Sequence, residues 1–111
     1  MQSTNLPGLA ADLLAQARGA HSGRSAHTLF GSHDHHLRQT VIALAAGHRL
    51  GEHNSPGEAS LQVLHGRARL TTTAGEWTGR AGDHVIIGPD RHELAALEDT
   101  VVLLTVLTPR G

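Results

Sequence analysis

From Leu37 onward, the chain is a succession of short apolar runs that are separated by turn residues. The runs include "LRQTVIAL", "SLQVL", "RARLTTT", "HVIIG" and "VVLLTVL", which are rich in Val, Ile, Leu or Thr and have Gly, Pro, Asn or Asp between them. Segments of this length and composition are typical of β-strands, and their even spacing indicates a sandwich or a barrel. The sequence therefore predicts an all-β body.

The last of these runs, Val101 to Leu107, is apolar at successive positions rather than at alternate positions. Neighbouring side chains of a strand point to opposite faces, so an unbroken apolar run predicts a strand that is covered on both faces. Arg38, Arg67 and Arg69 alternate with apolar neighbours and are therefore predicted to point outward. An arginine that pointed inward would be able to hold a ligand carboxylate through two parallel hydrogen bonds.

The amino-terminal part has a different pattern. Residues 19–36 are rich in Gly, Ser and His, and only the segment "AHTLF" has strand character, which indicates a connector or an edge strand. We therefore divide the chain into an amino-terminal segment, residues 1–36, and a β body, residues 37–111. Before Gly19, apolar residues recur at helical spacing and predict a short amphipathic helix outside the β body, with Leu9, Leu13, Leu14 and Ala17 on its apolar face.

The composition excludes several classes of function. A chain of 111 residues fits one compact domain, and its net charge of -1, without long runs of either sign, excludes the charge pattern of nucleic-acid or membrane binding. There is no cysteine, so a metal would need imidazole, carboxylate or water ligands. There is no lysine or tyrosine, which excludes Schiff-base chemistry and a phenolic acid. The sequence also lacks the nucleophile elbow of serine hydrolases and the phosphate-binding loop of nucleotide hydrolases.

The amino terminus does not have the layout of a secretory signal. It has no basic leader, and Asp12 and Gln16 interrupt its apolar residues. No apolar stretch approaches the roughly 20 residues that cross a bilayer. We therefore expect a soluble cytoplasmic protein with no membrane partner. Phe30 and Trp77 are the only aromatic residues, which disfavours ligands that stack on aromatic rings, such as sugars and nucleobases.

The stretch that begins at Gly47 has the frame of a known motif. His53 follows Gly47 after five residues, and "VLHG" closes the stretch at Gly66. This frame resembles the first motif of the cupins, in which a glycine precedes His-x-His, a glutamate and a closing glycine. Ser55 stands at the second histidine position and Ala59 at the glutamate position. Two of the three ligands that this motif supplies in cupins are therefore missing.

The segment "AGDHVIIGPDRH" resembles the second cupin motif. Gly82 and Asp83 open a strand, Pro89 marks its end, and His92 follows where cupins place their last histidine ligand. Two departures are that Gly88 replaces the first proline of the motif and that His92 comes one residue early. Together the motifs identify residues 37–107 as similar to a small, single-domain, RmlC-like cupin.

The resemblance implies an all-β fold, a single cupin (jelly-roll) β-barrel with the short amino-terminal helix outside it. Cupins direct the histidines of both motifs into the barrel. The resemblance therefore implies that His53 and Ser55 face His92 across the cavity. It also implies a homodimer, formed by sheet extension or by packing of sheet faces.

A metal held by this site would need a further ligand, because tight divalent sites take three or four protein ligands. Glu58 is the nearest carboxylate, but it precedes the glutamate position by one residue, and such an offset turns a strand side chain to the opposite face. His35 is an alternative third ligand if it leans over the rim of the barrel. The plain interpretation of its cluster, "HDHH" at residues 33–36, is a polar surface turn that binds zinc or nickel adventitiously.

Two functions stay open from the sequence, and so does the question of whether the protein is an enzyme. The first is a small-molecule-binding or regulatory cupin, whose apolar cavity has His53, Ser55 and His92 as its polar groups. The alternative is a metal-dependent cupin enzyme, an oxygenase or isomerase of a small acid. In that enzyme His53, His92 and Glu58 or His35 would hold iron, manganese, nickel or zinc.

Overall fold

The computed structural model describes residues 1–53 and 57–108, and the side chains of Glu52 and His53 lie outside that description. Within these ranges the chain forms one helix and nine strands. In chain order the elements are α1 (Leu6–Gly19), β1 (Arg24–Phe30), β2 (Leu37–Leu44), β3 (Arg49–His53), β4 (Glu58–His65), β5 (Arg67–Thr72), β6 (Gly75–Arg80), β7 (His84–Ile87), β8 (His92–Ala96) and β9 (Thr100–Leu107).

The strands form two antiparallel sheets. One sheet has five strands in the order β1-β2-β9-β4-β7, and the other has four in the order β3-β8-β5-β6. The all-β body with a short helix that the sequence predicts is therefore confirmed. Residues 19–36 contain the edge strand β1, which pairs with β2 and is longer than the "AHTLF" segment that the sequence singles out.

The main core lies between the two sheets and consists of aliphatic side chains. Burial of a Leu or Val side chain contributes about 1.5–3 kcal/mol relative to leaving it exposed, so these positions determine which face of each strand points inward. The five-stranded sheet contributes Leu44, Ala59, Leu61, Val63, Ile87 and Val102, and the four-stranded sheet contributes Ala68, Leu70, Leu94 and Ala96.

Helix α1 covers part of the outer face of the five-stranded sheet. The Asn5 side chain accepts a hydrogen bond of 2.8 Å from the Gly8 amide, which satisfies one of the free amides at the start of the helix. The helix packs Leu13, Leu14 and Ala17 against a second apolar cluster that includes Val101 of β9. The predicted helix, its end near Gly19 and its outside position are confirmed. Among the described residues no helix is long and apolar enough to cross a membrane.

Strand β9 is covered on both faces from Val101 to Leu104, as the sequence predicts, whereas Leu107 at its end is 45% exposed. Val101 and Leu103 belong to the outer cluster under α1. Val102, Leu104 and Val106 belong to the core between the sheets. The unbroken apolar run is thus the consequence of a helix on one side and a second sheet on the other.

Asp99 joins three parts of the chain at the end of the barrel where β8 turns into β9. Its carboxylate accepts hydrogen bonds of 2.8 Å from the Ala46 amide and 2.7 Å from Nε of Arg18, near the end of α1. The hydrogen bond from Ala46 and then the one from Arg18 lower the pKa of the Asp99 carboxyl from its ordinary value of 3.8. The contact therefore ties the helix to the sheets through a carboxylate that stays ionised.

Gly66, the closing glycine of the first motif, joins β4 to β5 with a φ of +81°. A Cβ atom at this position would collide with the carbonyl oxygen of Asp99. Both the backbone angle and the close approach therefore favour glycine at this turn.

Candidate functional site

The inward face of the five-stranded sheet ends in a row of four residues from adjacent strands. The pairing of β2 with β9 is regular along the whole strand, so Arg38 and Thr40 share the face of Ile42 and Leu44. That face packs into the core between the sheets. At the end of the strand the ladder places Arg38, Val106, Ala59 and Ile87 side by side on β2, β9, β4 and β7.

The four-stranded sheet brings His92 to the same end. His92 lies two residues before the buried Leu94 and pairs with Thr72, just as Leu94 pairs with Leu70. Both His92 and Thr72 therefore occupy inward positions. Only residues 88–91 connect Ile87, at the end of β7 in one sheet, to His92, at the start of β8 in the other. The row of four residues and the pair of His92 with Thr72 therefore lie at the same end of the barrel. We call this end the barrel mouth, defined by the inward positions Arg38, Ala59, Thr72, Ile87, His92 and Val106.

His53 and His92 are backbone partners in the β3–β8 ladder. The pairing is irregular between Leu50 and His53, because β3 advances by three residues while β8 advances by two, as in a β-bulge. The His92 side chain is half-buried, and its Nδ1 lies 3.5 Å from the Asp90 carbonyl oxygen. The side chain of His53 and the whole of Ser55 lie outside the described residues, so the meeting of these groups with His92 stays a prediction.

The structure places Glu58 on the face of β4 that points away from the cavity. Ala59, its neighbour, is buried in the core, while Glu58 is exposed and pairs with Leu107. The one-residue offset is therefore retained, and this position does not support Glu58 as a third metal ligand. Gln62 lies on the same outward face, because it pairs with the outward Leu103.

His35 lies in the exposed turn between β1 and β2. Its ring stacks on Phe30 with ring centres 4.6 Å apart, and its Nδ1 accepts a hydrogen bond of 3.0 Å from the Ser32 amide. His33 contacts Asp34 at 3.3 Å, and the whole cluster at residues 33–36 is exposed. These contacts fit the polar surface turn that the sequence indicates as the plain interpretation.

The donor set fits a metal poorly. Among the side chains that the structure describes, those of residues 1–51 and 57–108, no group of three or more His, Cys, Asp or Glu is arranged to hold a metal ion. At the inward position where cupins have their glutamate, Ala59 offers no ligand atom. His53 and His92 together would supply two imidazoles, which is fewer than tight divalent sites require.

A cleft of about 320 Å³ opens between β6 and β7, the edge strands of the two sheets. Its apolar lining includes Leu70, Trp77, Val85 and Ile87. Thr72 and Ile87 belong to both the cleft and the barrel mouth, so the two are continuous. Small-molecule sites commonly have about 300–1,000 Å³ with mainly apolar walls, and this cleft has those properties. Among the described residues, the polar ones along it are Thr72, Glu76 and Asp90.

Arg38 corrects one prediction from the sequence. It occupies an inward position and is half-buried, whereas Arg67 and Arg69 flank the buried Ala68 and point outward as predicted. Its Nε donates a hydrogen bond of 3.4 Å to the His35 carbonyl. Within the described part of the chain no ion pair joins Arg38 to a carboxylate.

Sequence comparison gives no relatives, whereas structural comparison gives many. No protein family model matches the chain, and no curated protein matches it. A conserved protein of unknown function from Streptococcus pyogenes is 29% identical over 83% of this chain and 80% of its own, with a TM-score of 0.74. A cupin superfamily protein from Desulfitobacterium hafniense is 17% identical over 77% of each chain, with a TM-score of 0.71. The protein therefore has the fold of a small cupin domain.

A further similar structure is the Cupin_2 domain of an XRE family transcriptional regulator from Enterobacter cloacae. It is 16% identical over 78% of this chain and 98% of its own, with a TM-score of 0.67. This likeness concerns the fold alone. It adds that a domain of similar fold occurs in that regulator.

Proposed function

We propose that the protein is a small-molecule-binding cupin whose ligand occupies the cleft between β6 and β7 and reaches the barrel mouth. The observation that carries this proposal is the continuity of an apolar cleft with the inward position of His92. The apolar walls supply burial, and a few polar groups orient the ligand, which is the common design of such sites. In this proposal His92, His53 and Ser55 are those polar groups.

A regulatory role is the form of this function that the comparisons favour. A similar barrel serves as a domain of a transcriptional regulator. A barrel that binds a small molecule without chemistry needs no complete metal site, and the replacement of the glutamate position by Ala59 fits that role. We therefore propose that a partner protein or domain binds differently to the ligand-bound form and the ligand-free form of this barrel.

Trp77 offers a direct test, because it is the only tryptophan and lines the cleft. A small-molecule fragment library is screened by tryptophan fluorescence, and hits are verified by shifts of the Trp77, Thr72 and His92 signals in nitrogen-15 NMR spectra. We expect hits that shift these three signals together. A library that yields hits only at α1 or at the β1–β2 turn would contradict the proposed site.

Two variants separate a role in binding from a general effect. His92→Gln removes the imidazole at the mouth, and we expect it to weaken binding of each verified hit about tenfold, the value of one hydrogen bond to a buried polar group. His84→Gln is the matched control, because His84 pairs with the outward Gln62 on the neighbouring strand. Equal losses in both variants would contradict a role for His92.

A metal-dependent enzyme is the second candidate, and the pairing of His53 with His92 in the β3–β8 ladder favours it. Directly paired residues of two antiparallel strands have side chains on one face of the sheet. The test is elemental analysis after dialysis against a chelator and re-addition of iron, manganese, nickel or zinc in turn. Retention of about one equivalent that His92→Gln abolishes and His84→Gln preserves would favour this candidate over the first.

We also propose that the protein forms a homodimer through the part of the five-stranded sheet that α1 leaves uncovered. Leu37 and Leu107 are backbone partners on its outer face and are 41% and 45% exposed. A groove of about 600 Å³ beside them is lined by Leu29, Phe30 and Leu103. Light scattering tests the assembly. We expect a dimer that Leu37→Glu converts to a monomer, and a monomeric native protein would contradict the proposal.

A further inference from the structure

We infer that the ligand of the cleft and the barrel mouth carries an anionic group of the carboxylate type, which Arg38 recognises. This inference rests on the proposed function and names the class of ligand that the site takes. The observation behind it is an arginine at an inward position of a strand whose other inward residues are Thr40, Ile42 and Leu44.

The first step of the argument is the position of Arg38. The ladder places its backbone in one row with Val106, Ala59 and Ile87, and Ile87 also lines the ligand cleft. The row faces the end of the other sheet at which Thr72 and His92 pair. A guanidinium at this row is therefore on the side of the sheet that a ligand of the barrel mouth contacts.

The second step concerns the contacts of the Arg38 side chain. Gly31, with a φ of +111°, lies against its stem, and a Cβ atom there would approach Cγ of Arg38 at 2.8 Å. The Nε atom donates to the His35 carbonyl at 3.4 Å. A guanidinium has five N–H donors, so this contact leaves its two terminal nitrogens to hold a carboxylate in the two-bond geometry that arginine favours. The β1–β2 turn therefore holds the Arg38 side chain at its Cγ and Nε atoms and leaves the terminal nitrogens for a ligand.

The third step is the charge around the mouth. Among strand residues whose side chains the structure describes, no Asp or Glu occupies an inward position. Ala59, at the glutamate position of the first motif, removes the carboxylate that would otherwise compete for the arginine. Asp90 and Glu76 are the carboxylates that line the cleft, and Glu76 pairs with the outward Thr71. Among the described strand side chains, the inward surface thus has a cation without a matching anion, and a half-buried charge of this kind gains from a ligand of opposite sign.

The experiment compares matched anionic and neutral probes. Benzoate, hexanoate and succinate are titrated against benzamide, hexanamide and succinamide at constant ionic strength, with Trp77 fluorescence and NMR shifts of Thr72 and His92 as readouts. The titrations are repeated with Arg38→Gln, Arg38→Lys and Arg69→Gln. Arg69→Gln is the matched control, because Arg69 lies on the outward face of β5.

We expect at least one carboxylate to bind about tenfold more tightly than its amide, since hydrogen bonds between charged groups are roughly twice as strong as neutral ones. Arg38→Gln should abolish this preference and leave the affinity for the amide unchanged. Arg38→Lys should retain part of it, because lysine keeps the charge but not the two-bond geometry. Arg69→Gln should retain all of it.

The possible failures are distinguishable. If amides bind as tightly as carboxylates, or if Arg38→Gln keeps the preference, the inference about Arg38 is overturned while the proposed function stands. If neither class of probe affects Trp77, Thr72 or His92, and the fragment library also fails, the proposed function is overturned and the inference with it. A loss of preference in both Arg38→Gln and Arg69→Gln would overturn a specific role for Arg38 in favour of general charge attraction.

Discussion

The two ends of β2 differ in what covers them. At its carboxyl end, Val41 and Ala43 pack under α1, and Leu44 packs in the core between the sheets. At its amino end, Leu37 is 41% exposed and Arg38 is half-buried at the barrel mouth. The helix-covered end therefore holds the fold together, whereas the mouth has fewer packing constraints and is able to carry polar groups. Such a division is common, because binding residues lie where a rigid scaffold presents them to solvent.

The largest expected effect comes from truncating one leucine at each end of this strand. Leu44 is 1% exposed, and Leu44→Ala should lower the free energy of unfolding by about 2–5 kcal/mol, the usual loss for a buried leucine. Leu37→Ala should cost less than about 1 kcal/mol, because much of that side chain is already in water. Urea unfolding at low protein concentration measures both. Equal losses would contradict the division between the two ends.

A second comparison uses two glycines at the helix-covered end. Gly66 and Gly47 have φ angles of +81° and +84°, but only Gly66 has a backbone atom within 4 Å of where a Cβ would lie. Gly66→Ala should therefore cost about 1–3 kcal/mol, because backbone strain and the collision with Asp99 add. Gly47→Ala should cost about 1 kcal/mol, from strain alone. A larger loss at Gly47 would contradict the role of the close approach, and the same urea midpoints give the answer.

The sequence predicts those parts of the molecule in which the pattern of apolar residues is compatible with only one secondary structure and one buried face. The helical spacing of Leu13, Leu14 and Ala17 and the doubly apolar run of β9 are of this kind, and both predictions are confirmed. The motif frame also predicts the cupin fold, although the ligands within the frame differ. In each case the apolar pattern or the motif spacing extends over enough residues that a shift by one residue would expose apolar side chains or break the motif.

The barrel mouth was harder to predict, because local patterns there are ambiguous. Strand β2 is apolar on both faces beyond Thr40, so the alternation of its residues does not say whether Arg38 points inward or outward. The irregular pairing between Leu50 and His53 changes the phase of β3. Gly51, inside this strand, is a local sign of a bulge, but a glycine alone does not fix which face the following residues take. The facing of His53 and His92 thus stays a prediction, whereas the inward position of Arg38 required the strand register.

The smallest expected effect concerns Asp99, which fastens α1 at the covered end. The pKa of this carboxyl is lowered in the folded protein, so the folded state binds its proton less readily than the unfolded chain does. Its contribution to stability is therefore fully present above the unfolded value, near 3.8, and is lost as the pH falls through the lower folded pKa. Arg18 is 58% exposed, so solvent and salt screen its part of the contact and the whole effect is small.

We therefore expect Asp99→Asn to have a slightly lower urea midpoint of unfolding than the native protein at pH 7 and pH 5. When the pH falls well below 3.8, the two midpoints should become equal. The asparagine oxygen is still able to accept from the Ala46 amide and from Arg18, so the loss reflects the weaker hydrogen bonds that a neutral side chain accepts from these two donors. Salt at about 1 M should reduce the difference at pH 7, because it screens exposed charges. Asp12→Asn, at an exposed position of α1, is the control and should show no such pH dependence. A difference that persists unchanged at low pH would mean that Asp99 acts through packing or neutral hydrogen bonds rather than through its charge.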